Sequence, residues 1–197
     1  MKKFLHVGCG PMDKTGLKGF AGADWQEVRF DIDKSVNPDI EGSLVDMSKV
    51  ESSSVDAIYS AHNLEHIYPH EVPAALAEFC RVLKPDGMVV ITCPDLQSVC
   101  AQVTNNRLLE PLYGSPSGPI SAIDILYGHR GYMAQGNLYM AHKGGFTLDS
   151  LKDSLLTAGF AKAIGARRPL AFDVWMLAAK QELPDAQLQE LAQAFLP

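Results

Sequence analysis

The stretch Leu5-His6-Val7-Gly8-Cys9-Gly10-Pro11 constrains this chain more than any other. An apolar run that includes Phe4, Leu5 and Val7 reads as a buried strand, and two glycines one residue apart stop it abruptly. A glycine has no Cβ, so the backbone there can take a positive φ and let a ligand approach its N–H groups. A lone G-x-G also suits a plain strand-to-loop turn, so its meaning rests on the elements downstream of it.

Four further strand-like segments come after it. Glu27 to Asp33 alternates and ends in carboxylates. Gly42 to Met47 is predicted as a short third strand or strand end, and Ser54 to Ser60 as a fourth strand running into Ala61-His62-Asn63-Leu64-Glu65-His66. Val72, Ala75, Leu76, Phe79 and Val82 then recur at the spacing of one helical face. Lys84-Pro85-Asp86-Gly87 ends that helix with turn chemistry, and Met88 to Cys93 is apolar enough for a strand covered on both sides. Residues 11–25 lack a helical period. Strands alternating with crossovers imply a mostly parallel α/β sheet, whose ligands bind beyond the carboxyl ends of its strands. Gly8, Asp31, Asp46, His62 and Pro94-Asp95 all fall at such ends.

Residues 96–147 break this rhythm, with frequent Gly, Pro and Tyr and with His129, Tyr132, Tyr139, His142 and Lys143 concentrated there. They read as an insertion over the ligand edge, a lid or a substrate-side element. Thr147 then caps an amphipathic helix ending at Gly159. Residues 161–167 and 173–179 supply two last strands, and 184–195 a surface helix.

At 197 residues the expectation is a single domain spanning 1–197. The net charge of −6 argues against nucleic-acid binding, which needs clustered cations, and only Arg167 and Arg168 adjoin. Four cysteines without a C-x-x-C pair are expected as free thiols. No apolar run reaches a membrane span and the basic N-terminus lacks a cleavage site, so a cytoplasmic location is the default expectation.

Taken together, LHVGCG, FDID, VDMSKV, SVDAIYSAHNLEHI and EFCRVLKPDGMVVITCPD resemble the class I S-adenosylmethionine-dependent methyltransferases over roughly residues 4–95 and 147–180. The resemblance implies a seven-stranded, mostly parallel Rossmann-like sheet with helices on both faces and a final strand inserted antiparallel. It implies S-adenosyl-L-methionine as cofactor: Gly8 and Gly10 under its methionyl part, Asp31 on its ribose, Asp46 with Met47 on its adenine, and His6, Cys9, Ile32, Ala61 and His62 completing the contact set. Asp31 stands 21 residues after Gly10, a spacing that suits a ribose-binding acid.

Two departures stand out: His6 replaces an acid usual in the family, and Met12 replaces a third glycine. Asp13 or a backbone group is the expected substitute for holding the cofactor's amino group. A nicotinamide dehydrogenase is disfavoured because no third glycine completes a G-x-G-x-x-G pattern.

His62 is the leading catalytic candidate, since an imidazole titrates near neutrality and this one directly follows a strand. His66, Tyr139 and His142 are candidate substrate contacts, and Arg167 and Arg168 are either an anion contact or a solvated strand end. His62-Asn63-Leu64-Glu65-His66 also fits the H-x-x-E-H zinc-hydrolase pattern, but that motif belongs inside a helix and here it follows a strand, so no metal is expected. The function expected is methyl transfer to a small-molecule or other polar acceptor, with an inactive S-adenosylmethionine-binding regulator or assembly protein as the alternative. A homodimer is left open.

Overall fold

The computed structural model describes all residues, Met1–Pro197. Its first five strands are β1 (Lys2–Val7), β2 (Trp25–Asp31), β3 (Ile40–Glu41), β4 (Val55–Ala61) and β5 (Leu83–Pro94). Helix α1 (Val72–Val82) connects the last two, and α2 (Leu96–Thr104) follows β5. The hairpin β6 (Pro111–Ser115) and β7 (Gly118–Ser121) leads into α3 (Ala122–Tyr127) and α4 (Arg130–Ala134). The chain closes with α5 (Leu148–Thr157), β8 (Lys162–Arg168), β9 (Asp173–Ala179) and α6 (Asp185–Phe195).

Seven strands form one sheet in the order β3-β2-β1-β4-β5-β9-β8, in which β9 alone runs antiparallel to its neighbours. This is the α/β architecture expected from the sequence, with the reversed last strand. The period-two alternation of the strands sorts the core onto two faces. On one face Leu5, Val7, Ile58, Val89 and Ile91 pack with α1 and α5, through Leu76, Phe79, Leu151 and Leu155. On the other, Phe4, Trp25, Tyr59 and Val90 pack with Phe20 and with α6, through Leu188 and Phe195. All five apolar residues predicted for one face of α1 are buried.

Three expectations need correction. The third strand is Ile40–Glu41, and 42–47 is a turn closed by the Ser43–Asp46 bridge, because paired backbone ends where the chain bends under α1. Lys84-Pro85-Asp86-Gly87 ends the helix but is a bulged excursion within β5: Leu83 pairs with Val55 and Met88 with Ala57. The insertion, weak in period, nonetheless holds three helices and a hairpin around its own small core of Val99, Ile120, Ala122 and Ile125.

His6 lies in the second core face, 1% exposed, with its ring against Tyr59 and its Nδ1 2.6 Å from Glu27 Oε1. Burial pushes this imidazole below its ordinary value of 6.5, more strongly than Glu27 raises it. A histidine held neutral in the fold loses stability as pH falls, since the unfolded chain takes up the proton first. The thermal midpoint of His6→Gln should therefore fall less than wild type between about pH 7.5 and 5.5. Equal slopes in a scanning-calorimetry series would contradict this placement.

Candidate functional site

The carboxyl ends of β1, β2, β4 and β5 open into a cavity of about 950 Å³. One end is lined by Gly8, Gly10, Asp31, Ile32, Leu44 and Ala61, all from the sheet side. The other is lined by residues such as Tyr113, Ile125, His129, Tyr139 and His142, delivered by the insertion.

The two glycines serve different ends. Gly8 has φ +61°, and a Cβ there would lie 1.8 Å from Asn63 Oδ1. Asn63 is fixed by its amide, which donates to Val7 O at 2.8 Å and Ala61 O at 3.0 Å. Gly10 has φ +53°, and a Cβ there would meet nothing within 4 Å, so its open side belongs to the cavity. The Gly10 N–H donates to Asp31 Oδ2 at 2.8 Å and the Asp33 N–H to Asp31 Oδ1 at 2.8 Å. Two amides thus aim a nearly buried carboxylate that still reaches the cavity. Gly8→Ala should destabilise by about 2 kcal/mol or more from the clash and the left-handed φ, and Gly10→Ala by only about 1 kcal/mol from φ. Urea denaturation checks this, and equal losses at both positions would contradict the packing of Asn63 on Gly8.

Past β4 the chain makes a 3₁₀ turn, Leu64–His66, and not the long helix that an H-x-x-E-H ligand pair requires. His62 is in the left-handed region at φ +54°, with its N–H on Thr92 O at 2.8 Å. Such strain in a non-glycine residue costs about 1 kcal/mol or more and collects at functional sites. The His62 ring is half exposed to the cavity, and its Nδ1 lies 3.3 Å from Glu65 Oε1. Burial opposes the imidazolium, but the adjacent Glu65 carboxylate outweighs it and raises the His62 pKa. Burial likewise opposes the Glu65 charge, which His62, His66 and His142 stabilise, so the carboxyl is held below its usual range. The Cys93 thiol is pushed far up by burial and then by the Glu65 charge, and it stays protonated.

The Lys143 and Gly144 N–H groups donate to Glu65 O at 2.7 and 3.1 Å, which docks the end of the insertion onto this turn. His142 arrives beside His66, ring centroids 4.8 Å apart. Burial lowers the His142 pKa.

The structure brings Gly8, Gly10, Asp31, Ile32, Ala61, His62, His66, Tyr139 and His142 to one cavity. Other expected contacts lie elsewhere. His6 and Cys9 are buried off its walls. Met47 is in the core, where its N–H meets Glu78 at 2.8 Å, and exposed Asp46 turns outward to cap Ser48; Ser43, Leu44 and Val45 line the cavity in their place. The Asp13 carboxylate caps Thr15. Tyr132 is tied to Ser117 at 2.8 Å. Neither arginine is free for an anion, because Arg167 pairs with buried Asp95 and Arg168 with Asp173. Residues 170–172 also line the cavity without any signal in the sequence, since an apolar loop carries no mark of its partner. All four cysteines are free. No helix is long and apolar enough to cross a membrane.

Residues 5–91 match the family model described as a methyltransferase domain. The matched span holds the strand-end motifs that resemble the class I methyltransferases, and the seven-stranded sheet order is observed around it. Solved structures share the fold at low identity. A possible exported protein from Bordetella parapertussis aligns at TM-score 0.60 and 16% identity, covering 92% of this chain and 62% of that one. A SAM-dependent methyltransferase from Archaeoglobus fulgidus aligns at 0.59 and 13%, covering 91% and 86%. The 1,6-didemethyltoxoflavin-N1-methyltransferase of Burkholderia thailandensis, solved with 1,6-didemethyltoxoflavin and S-adenosylhomocysteine, aligns at 0.57 and 16%, covering 92% and 72%. No curated protein matches the chain by sequence.

Proposed function

We propose that the chain is an S-adenosylmethionine-dependent methyltransferase acting on a small polar acceptor that carries an ionisable hydroxyl. The observation that carries this reading is the cavity's division into a glycine-and-carboxylate end on the sheet and a histidine-and-tyrosine end on the insertion. The first end suits the cofactor. Gly10 leaves room that any side chain would fill, Asp31 offers a fixed carboxylate to ribose hydroxyls, and Ser43, Leu44 and Val45 form a partly apolar edge for adenine.

When bound, S-adenosylmethionine supplies an electrophilic methyl carbon that bonds to the acceptor oxygen while the carbon–sulfur electron pair leaves with sulfur. The chain must hold the acceptor in line and exclude water. Residues 96–147 cover the acceptor end, with Tyr139 and His142 on its wall. His62 takes the hydroxyl proton on a ring nitrogen, and the buried Glu65 carboxylate beside Nδ1 stabilises the imidazolium that forms.

Calorimetry with S-adenosylhomocysteine tests the cofactor end. Asp31→Ala should weaken binding by about 10- to 100-fold, the worth of hydrogen bonds to a charged group. Unchanged affinity would remove the ribose assignment, and no binding to wild type would remove the whole reading. His62→Asn should leave cofactor affinity within about threefold while lowering labelled-methyl transfer by about 100-fold or more. Tight cofactor binding without turnover over a panel of phenols, hydroxy acids and alcohols would favour a regulatory binder.

A further inference from the structure

Methyl transfer as proposed leaves the cluster around Glu65 underused. Glu65 is 0% exposed, and neither of its carboxylate oxygens receives a hydrogen bond. His62 Nδ1 stands 3.3 Å from Oε1 without the direction of one. A buried carboxylate in that condition is costly unless a cation meets it.

Two imidazoles close on the same point. His66 comes from the same turn, and His142 comes from the far end of the insertion. Ligand atoms of Glu65, His66 and His142 all lie within 4.8 Å of one another. The tautomer of each ring is set by its partner. His66 Nδ1 is 3.1 Å from Ala141 O, and His142 Nδ1 is 2.7 Å from Ile125 O. A carbonyl only accepts, so in the neutral ring each Nδ1 carries the proton and each Nε2 has the lone pair. Nδ1–H on a backbone carbonyl is the outer-shell contact by which ligating histidines are oriented.

We infer that Glu65, His66 and His142 bind one divalent transition-metal ion of the Zn²⁺ or Fe²⁺ class. Two imidazoles and a carboxylate suit such ions better than Mg²⁺ or Ca²⁺, which prefer all-oxygen shells. Metal–ligand bonds of about 2.1 Å would draw the three groups in from their present spacing onto the ion. Three protein ligands leave coordination positions open, as in catalytic and not closed structural sites. All three residues line the cavity, so the open positions face the acceptor end. This last point rests on the methyl-transfer reading: there the ion holds the acceptor's hydroxyl oxygen and lowers its pKa, next to His62.

Chelator-treated full-length protein titrated with Zn²⁺ alone, and with Co²⁺ followed by its visible spectrum, tests the site. One tight equivalent is expected, weakened at least about tenfold in both His142→Asn and Glu65→Gln and unchanged in His70→Ala, an exposed histidine outside the cluster. If Glu65→Gln does not fold, His142→Asn decides alone, with its thermal midpoint and S-adenosylhomocysteine affinity as fold controls. No stoichiometric binding, or equal affinity in wild type and His142→Asn, overturns the inference. S-adenosylhomocysteine binding without metal binding sinks the metal site and leaves the methyltransferase reading standing. Metal binding without S-adenosylhomocysteine binding does the reverse.

Discussion

The contact between Asn63 and Gly8 governs the geometry of the whole site. The turn after β4 presses its amide onto the turn after β1 so closely that no side chain fits at residue 8. Neighbouring parallel strands make this approach possible, since Val7 pairs with Ser60 in register. One amide therefore sets the distance between the Gly8–Gly10 loop, which with Asp31 forms one end of the cavity, and the His62–His66 turn, which begins the other. The positive φ of His62 follows from the same crowding: the chain must leave β4 sharply for Asn63 to reach back.

A second joint, between the Glu65 carbonyl and the Lys143 and Gly144 amides, does for the insertion end of the cavity what Asn63 does for the sheet end. The insertion is also held by its own small core and by the Ser121–Asp124–Arg130 cluster, where Arg130 and Ser121 hold the Asp124 carboxyl far below its usual range despite its burial. Backbone bonds are well suited to this joint because they place His142 without committing its ring. The ring nitrogen facing Ile125 O is fixed, and the other is left for chemistry.

Much of this is legible in the sequence where a short-range period or a turn residue carries the information. Most strand segments, the buried face of α1 and the Thr147 cap all follow local rules. Gly8, Gly10, Asp31 and His62 are legible as strand-end residues because the carboxyl edge of a parallel sheet is a shared address. Side-chain direction is not. His6 alternates with Leu5 and so faces the second core, where Glu27 from the neighbouring strand bonds its ring; nothing in the sequence pairs those two. Ser43, Leu44 and Val45 face the cavity where Asp46 and Met47 are expected, because a two-residue strand such as β3 has too few positions to show a period. His142 can be suspected from the composition of the insertion, but its meeting with Glu65 depends on a return path as long as the 75 residues between His66 and Ala141, which no local pattern records.

On this reading one cavity holds cofactor and acceptor side by side, with Asp31 at one end and His62 between them. A crystal structure of the protein with S-adenosylhomocysteine is the decisive measurement. The ribose hydroxyls are expected on Asp31, the sulfur turned toward His62, and free volume between that sulfur and His142. Ligand bound elsewhere on the chain, or a sulfur facing away from the insertion, would contradict it.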